Sequence, residues 1–203
     1  MTDIAETDVR APGTASDVLM ALYLGDRDKA KSLAAGMVLT LPELAAFGDL
    51  VHVSQRVTHH PAELHDYSGD GWTALHLAGF MGYASVVVRL LRAGADTAAR
   101  SRNTQGNFAL HASLAGRCAT PVITALLAAG ADPAAVDAQS YTPLHLAALH
   151  GDRAVCELLL ACGATRTVLT ADGKAPEDIA RERGHEDLAE WLTRAAVTPG
   201  ALQ

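Results

Sequence analysis

The amino-acid sequence predicts an all-α solenoid of stacked antiparallel helix pairs with short β-hairpin loops. Three observations carry this reading. The phrase Thr73-Ala74-Leu75-His76-Leu77-Ala78 recurs as Phe108-Ala109-Leu110-His111-Ala112-Ser113 and as Thr142-Pro143-Leu144-His145-Leu146-Ala147, with the histidines 35 and then 34 residues apart. Each copy is followed in phase by a second phrase: Leu90-Leu91-Arg92-Ala93-Gly94-Ala95-Asp96, Leu126-Leu127-Ala128-Ala129-Gly130-Ala131-Asp132 and Leu159-Leu160-Ala161-Cys162-Gly163-Ala164. A glycine ladder, Gly48, Gly82, Gly116, Gly151 and Gly184, steps by 34, 34, 35 and 33 residues. A fixed period of this length marks a repeat architecture, in which each unit buries its apolar face only against its neighbours.

These phrases resemble the ankyrin repeat family, whose unit reads G-x-T-P-L-H-L-A-A-x-x-G, an apolar helix, then L-L-x-x-G-A-D. The resemblance covers nearly the whole chain once degenerate copies are included. It assigns a disordered N-terminus at 1–16, an N-terminal helical cap at 17–39 and a degenerate first repeat at 40–66. Clear repeats follow at 67–101, 102–135 and 136–168, then a fifth repeat at 169–196 acting as C-terminal cap and a tail at 197–203.

Each unit has a local physical logic. Thr142 is placed to cap a first helix, and Pro143 suits its first position, where no amide hydrogen is needed. Leu144, Leu146 and Ala147 give that helix a narrow apolar face, and Gly151 ends it in a left-handed conformation. The second helix, apolar along Val155, Leu158 and Leu159, stops at Gly163. Helices of about two turns have no stability alone in water, so stacking must hold them. Repeat three departs from the pattern: Phe108 replaces the capping threonine, Asn107 is the substitute cap, and Gly116-Arg117-Cys118-Ala119-Thr120-Pro121 holds one extra residue between its helices. Repeat five has Asp178 for the histidine and Glu177, Arg181, Glu182 and Arg183 on an outward polar face.

Composition narrows the function. About half of the 203 residues are apolar and the formal net charge is −7, with no dense Lys/Arg run. Phosphate binding needs a basic face, so nucleic acid is not the expected partner. No apolar run approaches the roughly 18 residues of a membrane span, and the N-terminus, with Asp3, Glu6 and Asp8, does not read as a signal peptide. The expectation is a cytoplasmic monomer with no membrane association. Arginine outnumbers lysine 13 to 3, which suggests a GC-rich, bacterial genome. Cys118, Cys156 and Cys162 have no zinc-type spacing, and the last two read as small buried thiols.

No residue pattern points to catalysis, a cofactor or a metal. Phosphate-binding, dinucleotide-binding and nucleophile-elbow motifs are missing from the sequence. His76, His111 and His145 hold the motif position, and the resemblance implies that they tie one repeat to the next. His59-His60 and His65-Asp66 are the one suggestive ligand group, yet their spacing fits no familiar zinc motif and His65 falls in the expected hairpin strand. A metal-dependent enzyme or sensor at that loop is therefore the weaker alternative to a binding module. A secreted or host-directed effector adaptor is another.

The expected function is a non-enzymatic protein-binding module or scaffold. The resemblance implies docking on the inner face, built from hairpin tips and the exposed positions of each first helix. Carried onto this chain, those positions are Tyr67, Asp70, Trp72, Phe80 and Met81 in repeat two, Asn107 in repeat three, and Tyr141 and Leu149 in repeat four. Four of the nine aromatic residues fall there, and aromatic side chains dominate binding hot spots. The other reading of Tyr67 and Phe80 is that they cover the joint with the degenerate first repeat.

Overall fold

The computed structural model describes residues 17–117 and 119–195, so the expected N-terminal segment 1–16, the tail 197–203 and Cys118 lie outside the described residues. The stack is built from five helix pairs: α3 (Leu41–Phe47) with α4 (Leu50–His59), α5 (Ala74–Phe80) with α6 (Ala84–Arg92), α7 (Ala109–Ala115) with α8 (Thr120–Ala128), α9 (Pro143–His150) with α10 (Arg153–Ala161), and α11 (Pro176–Glu182) with α12 (Glu186–Ala195). A further pair, α1 (Asp17–Tyr23) and α2 (Arg27–Ala34), precedes them. No helix among the described residues is long and apolar enough to cross a membrane.

Threonine starts three of the first helices. The Thr40, Thr73 and Thr142 hydroxyls each accept from the backbone N–H three residues on. The second helices α4 and α10 use Asp49 and Asp152 in the same way. The core repeats in phase: Val86, Val122, Val155 and Leu188 form one row, Val87, Ile123, Cys156 and Ala189 a second, and Leu90, Leu126, Leu159 and Leu192 a third, all buried. Burial raises the Cys156 thiol pKa to about 12, which makes it a packing residue. Cys162, expected to be buried, is exposed just past the end of α10.

Histidine links the repeats. His76 Nε2 donates to the Asn107 carbonyl at 3.2 Å, His111 Nε2 to the Tyr141 carbonyl at 3.1 Å and His145 Nε2 to the Lys174 carbonyl at 3.2 Å. A carbonyl can only accept, so Nε2 carries the proton and Nδ1 is left as an acceptor. Thr73 and Thr142 place their hydroxyls 2.8 Å from the Nδ1 of His76 and His145. Phe108 has no hydroxyl, and the buried His111 Nδ1 has no partner. The expected replacement cap is not formed: Asn107 Nδ2 donates to Gln105 Oε1 instead, and Phe108 stands at the N-cap of α7 with no side-chain capping bond.

The hairpins are minimal. Ser68, Ser101, Asp137 and Thr170 each donate their N–H to the carbonyl of Trp72, Asn107, Tyr141 and Lys174, at 2.8, 2.8, 3.0 and 2.9 Å. Only Tyr67 and Thr73 form a β-bridge among the described residues. The loop from Ser101 to Asn107 is two residues longer than its equivalents, a second insertion in repeat three that the motif spacing did not reveal. Neighbouring loops join edge to edge, Arg102 N–H to the Gly71 carbonyl at 2.8 Å and Ala138 N–H to the Gln105 carbonyl at 3.0 Å.

The third rung of the glycine ladder has a different cause from the others. Gly151 has φ +72, a left-handed helix end. Gly116 has φ −73, and the left-handed residue is Arg117 at φ 55. Gly116 is required for space, since a Cβ there would lie 2.0 Å from the Phe80 carbonyl oxygen of the neighbouring helix. Pro61–His65 forms one 3-10 turn, so His65 is not in a hairpin strand. Arg56 clamps that turn to α4 through Glu63 with bonds of 2.8 and 2.9 Å.

Two outcomes follow from these contacts. Gly116→Ala should destabilise the chain by about 2 kcal/mol through overpacking, whereas Arg117→Gly should stabilise it by about 0.5–1 kcal/mol by relieving the left-handed backbone; chemical denaturation of both variants checks the pair. Burial holds the His76 pKa at about 4, below its ordinary 6.5, and the pKa values of His111 and His145 are lowered for the same reason. The unfolded chain therefore binds protons that the folded chain refuses as pH falls from 6.5 towards 4, and stability present above 6.5 is lost in that window. Melting curves at pH 7.5 and 5 should show a lower midpoint at pH 5, with a shallower fall in His76→Gln.

Candidate protein-binding surface

The inner face of the stack is a row of paired positions, a hairpin-tip residue and the residue eight further along the first helix. The pairs are Trp72 with Phe80, Asn107 with Ala115, Tyr141 with Leu149, and Lys174 with Glu182. Two of them touch directly: the Trp72 and Phe80 rings meet edge-on at 5.1 Å, and Lys174 Nζ donates to Glu182 Oε2 at 2.7 Å. The structure thus brings five of the expected site residues, Trp72, Phe80, Asn107, Tyr141 and Leu149, onto one surface. Met81 follows Phe80 at the end of α5 and joins the same face.

Exposure along that row differs from the expectation. Trp72 is only 7% exposed and Asn107 5%, so neither is the free tip residue that repeat position suggested. The cause for Trp72 lies 49 residues upstream: α1 packs on the inner face, and Val18, Leu19, Ala21 and Leu22 are buried in one cluster with Ala46, Trp72, Leu77 and Ala112. The segment packs on α3, and Tyr23 carries it on to the hairpin and α5 of repeat two, so it lies across the first helices of repeats one and two. Tyr23 adds edge-on contacts to Trp72 at 6.3 Å and to Phe80 at 5.7 Å. Asn107 is buried because its carbonyl receives the His76 bond and its N–H donates to Ser101 Oγ at 2.9 Å.

Other expected residues are engaged locally. Asp70 accepts from the Tyr23 hydroxyl and from Ser68 Oγ. Burial, with the Asp70 carboxylate next in effect, pushes the Tyr23 hydroxyl pKa up, so this tyrosine stays protonated and acts as the donor. Tyr67 lies beside the face: its hydroxyl donates to the Arg100 carbonyl at 3.1 Å, and the Arg102 guanidinium sits 3.8 Å from its ring centre.

Two parts of the face are open. A hollow of about 440 Å3 lies beyond Tyr23, with Asp70, Trp72, Phe80, Gln105 and Ala115 in its walls. Past it, Tyr141 and Leu149 are half-buried and present one flank to solvent, next to the Lys174–Glu182 pair and the exposed Asp172 and Arg183. The surface is therefore apolar and covered at one end, mixed and uncovered at the other. Among the described residues no group of three or more His, Cys, Asp or Glu side chains is arranged to hold a metal. The His59 to Asp66 stretch is the end of α4 followed by the 3-10 turn.

The burial of Trp72 reverses one expected behaviour. Trp72→Ala should cost about 3 kcal/mol of stability, as removal of a buried large aromatic does, and Tyr141→Ala clearly less. Thermal melts of the two variants side by side check the ranking.

Comparisons with known proteins agree with this architecture. The family description of an ankyrin repeat matches residues 70–102, and that of three ankyrin repeats matches residues 112–200. Over 128 residues the chain is 34% identical to mouse cyclin-dependent kinase 4 inhibitor B, covering 63% of this chain and 95% of that protein. It is 37% identical over 126 residues to mouse ankyrin repeat and SOCS box protein 16, covering 59% of this chain but only 27% of that one. With mouse RelA-associated inhibitor it shares 36% identity over 104 residues, 49% of this chain and 12% of the relative. In-phase core rows, histidine links between repeats and these matches lead to one conclusion: the chain belongs to the ankyrin repeat family.

Proposed function

We propose that this protein is a non-enzymatic binding module that holds a partner protein along its inner face, with Tyr141 and Leu149 at the centre of the open part. The observation that carries the reading is the part-exposed Tyr141 and Leu149 pair beside a charged pair, Lys174 and Glu182, at the uncovered end of the inner face. An aromatic and an aliphatic anchor within a polar rim is the anatomy of a protein-binding hot spot. Relatives named as a cyclin-dependent kinase 4 inhibitor and as a RelA-associated inhibitor support a role exercised by contact with other proteins. In this reading the chain works as a cytoplasmic monomer, and its partner is a protein, not a nucleic acid or a membrane.

The test begins with affinity capture of partners by the full chain, followed by titration of the recovered partner. Tyr141→Ala and Leu149→Ala should each weaken binding by on the order of 2 kcal/mol, with melting curves close to those of the unaltered chain. Unchanged affinity in the double variant, with the fold intact, would move the site away from repeat four.

A further inference from the structure

The helix that covers the apolar end of the inner face has apolar side chains on its outer side as well as its inner one. Val18, Leu19, Ala21 and Leu22 of α1 are buried against the stack, while Met20 on the outer side is 49% exposed and Leu24, just beyond the helix, 75%. A structural layer of a solenoid turns a polar side to water, whereas after Asp17 at its start α1 turns apolar side chains to it. With seven residues in α1 and eight in α2, neither helix is stable alone, so the order of this segment comes from docking. The connection to α3 is thin, with Met37 42% and Val38 87% exposed.

The docked arrangement also leaves a deficit. The Trp72 indole Nε1 is buried under this cover with no hydrogen-bond partner, and a donor that has lost water without gaining an acceptor opposes the contact that buried it. Polar contacts of the segment with the stack come from Tyr23 and Arg27. The Tyr23 hydroxyl donates to Asp70, and the Arg27 guanidinium donates to the Phe47 carbonyl at 2.9 Å and to the Tyr83 hydroxyl. Beside Tyr23 the hollow of about 440 Å3 gives an incoming group access to Trp72 and Phe80 before α1 has left.

We infer that residues 17–36 are a built-in ligand for the inner face of repeats one and two, and that the partner of this stretch is an apolar helix of about two turns that takes the place of α1. This rests on the reading of the inner face as the protein-binding surface. The partner helix carries apolar side chains in the relative positions of Val18, Leu19, Ala21 and Leu22. A hydrogen-bond donor follows one residue later, where Tyr23 meets Asp70, and an acceptor lies within reach of Trp72 Nε1. A tether this short gives α1 a local concentration on the order of 1 mM. Only the fraction of chains with α1 undocked is open to a partner, and its apparent affinity falls in proportion.

Two measurements on the full chain decide the matter. Hydrogen exchange of the unaltered protein should show amides of residues 18–34 opening at least about tenfold faster than those of α5 and α7. Exchange of all three in one step would make α1 an integral layer and overturn the inference. In a Trp191→Phe background, Trp72 is the sole indole. Leu19→Asp should shift its emission to the red while the melting transition of the repeats persists. A synthetic peptide of residues 17–36 should then reverse the shift, binding at least about tenfold more tightly than to the chain that keeps Leu19, and a peptide carrying Leu19→Asp should not. If Leu19→Asp does not fold, Tyr23→Phe with Arg27→Ala removes the polar pegs and serves as the opening variant. An opened chain that ignores the native peptide overturns the inference, as does a dimer of the unaltered chain that exchanges α1 between copies. In either case a loss of partner affinity in Tyr141→Ala would still stand, which separates this failure from failure of the binding reading.

Discussion

Three consecutive first helices, α5, α7 and α9, are each joined to the loop of the following repeat by an imidazole that donates from Nε2 to a backbone carbonyl. This bond depends on a chain of local conditions. The ring must be neutral, so burial has to keep its pKa low. Its other nitrogen must accept, which the capping threonine hydroxyl satisfies in repeats two and four. The same hydroxyl starts the helix, so one residue sets helix entry, tautomer and inter-repeat spacing together. The in-phase rows of Val, Ile and Leu supply the burial energy, but they are non-directional, and the histidine bond fixes their register.

Departures from this scheme collect in repeat three. Phe108 removes the hydroxyl, leaving His111 Nδ1 unpaired. The loop before it is two residues longer, and the helix end after it puts an arginine in the left-handed position while glycine stands one place earlier for clearance. Each change costs something locally, and partial compensation is visible. The ring of Phe108 lies under the Arg100 guanidinium, 4.8 Å from its centre, and Ser113 Oγ caps the Ala109 carbonyl at 2.8 Å within the tight α5–α7 contact.

Much of this was legible in the sequence because it is periodic. The caps at Thr73 and Thr142, the bridging histidines and the left-handed glycine at 151 are properties of a unit, and repetition displayed each of them more than once. What was not legible depends on contacts between units or on segments outside the period. Gly116 fits the ladder by spacing, yet its reason is the Phe80 carbonyl of another repeat, which no local pattern encodes. Trp72 stands at a tip position whose exposure follows from the repeat alone, and only the upstream helix buries it. A signal existed even so: Val18 to Leu24 has no polar face, and Trp72 with Phe80 is an apolar pair with no cover in its own repeat. Two apolar features without partners in one short chain are the sequence trace of a long-range contact.

The inner face of a single-row solenoid explains why such a contact arises. Each first helix is buried on its neighbours and on its second helix, and its remaining side faces solvent with no second layer to cover it. An apolar pair placed there must be covered, engaged by a partner or tolerated as a solubility cost. The paired positions run from Trp72–Phe80 through Asn107–Ala115 and Tyr141–Leu149 to Lys174–Glu182, and among the described residues α1 covers the end where both members are aromatic. At the other end an internal ion pair keeps the surface compatible with water, screened and of little energetic weight. Protection is therefore matched to apolar character along the row. Occupancy by the chain's own segment and exposure to a partner become two states of one surface, set by how firmly seven residues of α1 hold a site whose indole N–H they leave unsatisfied.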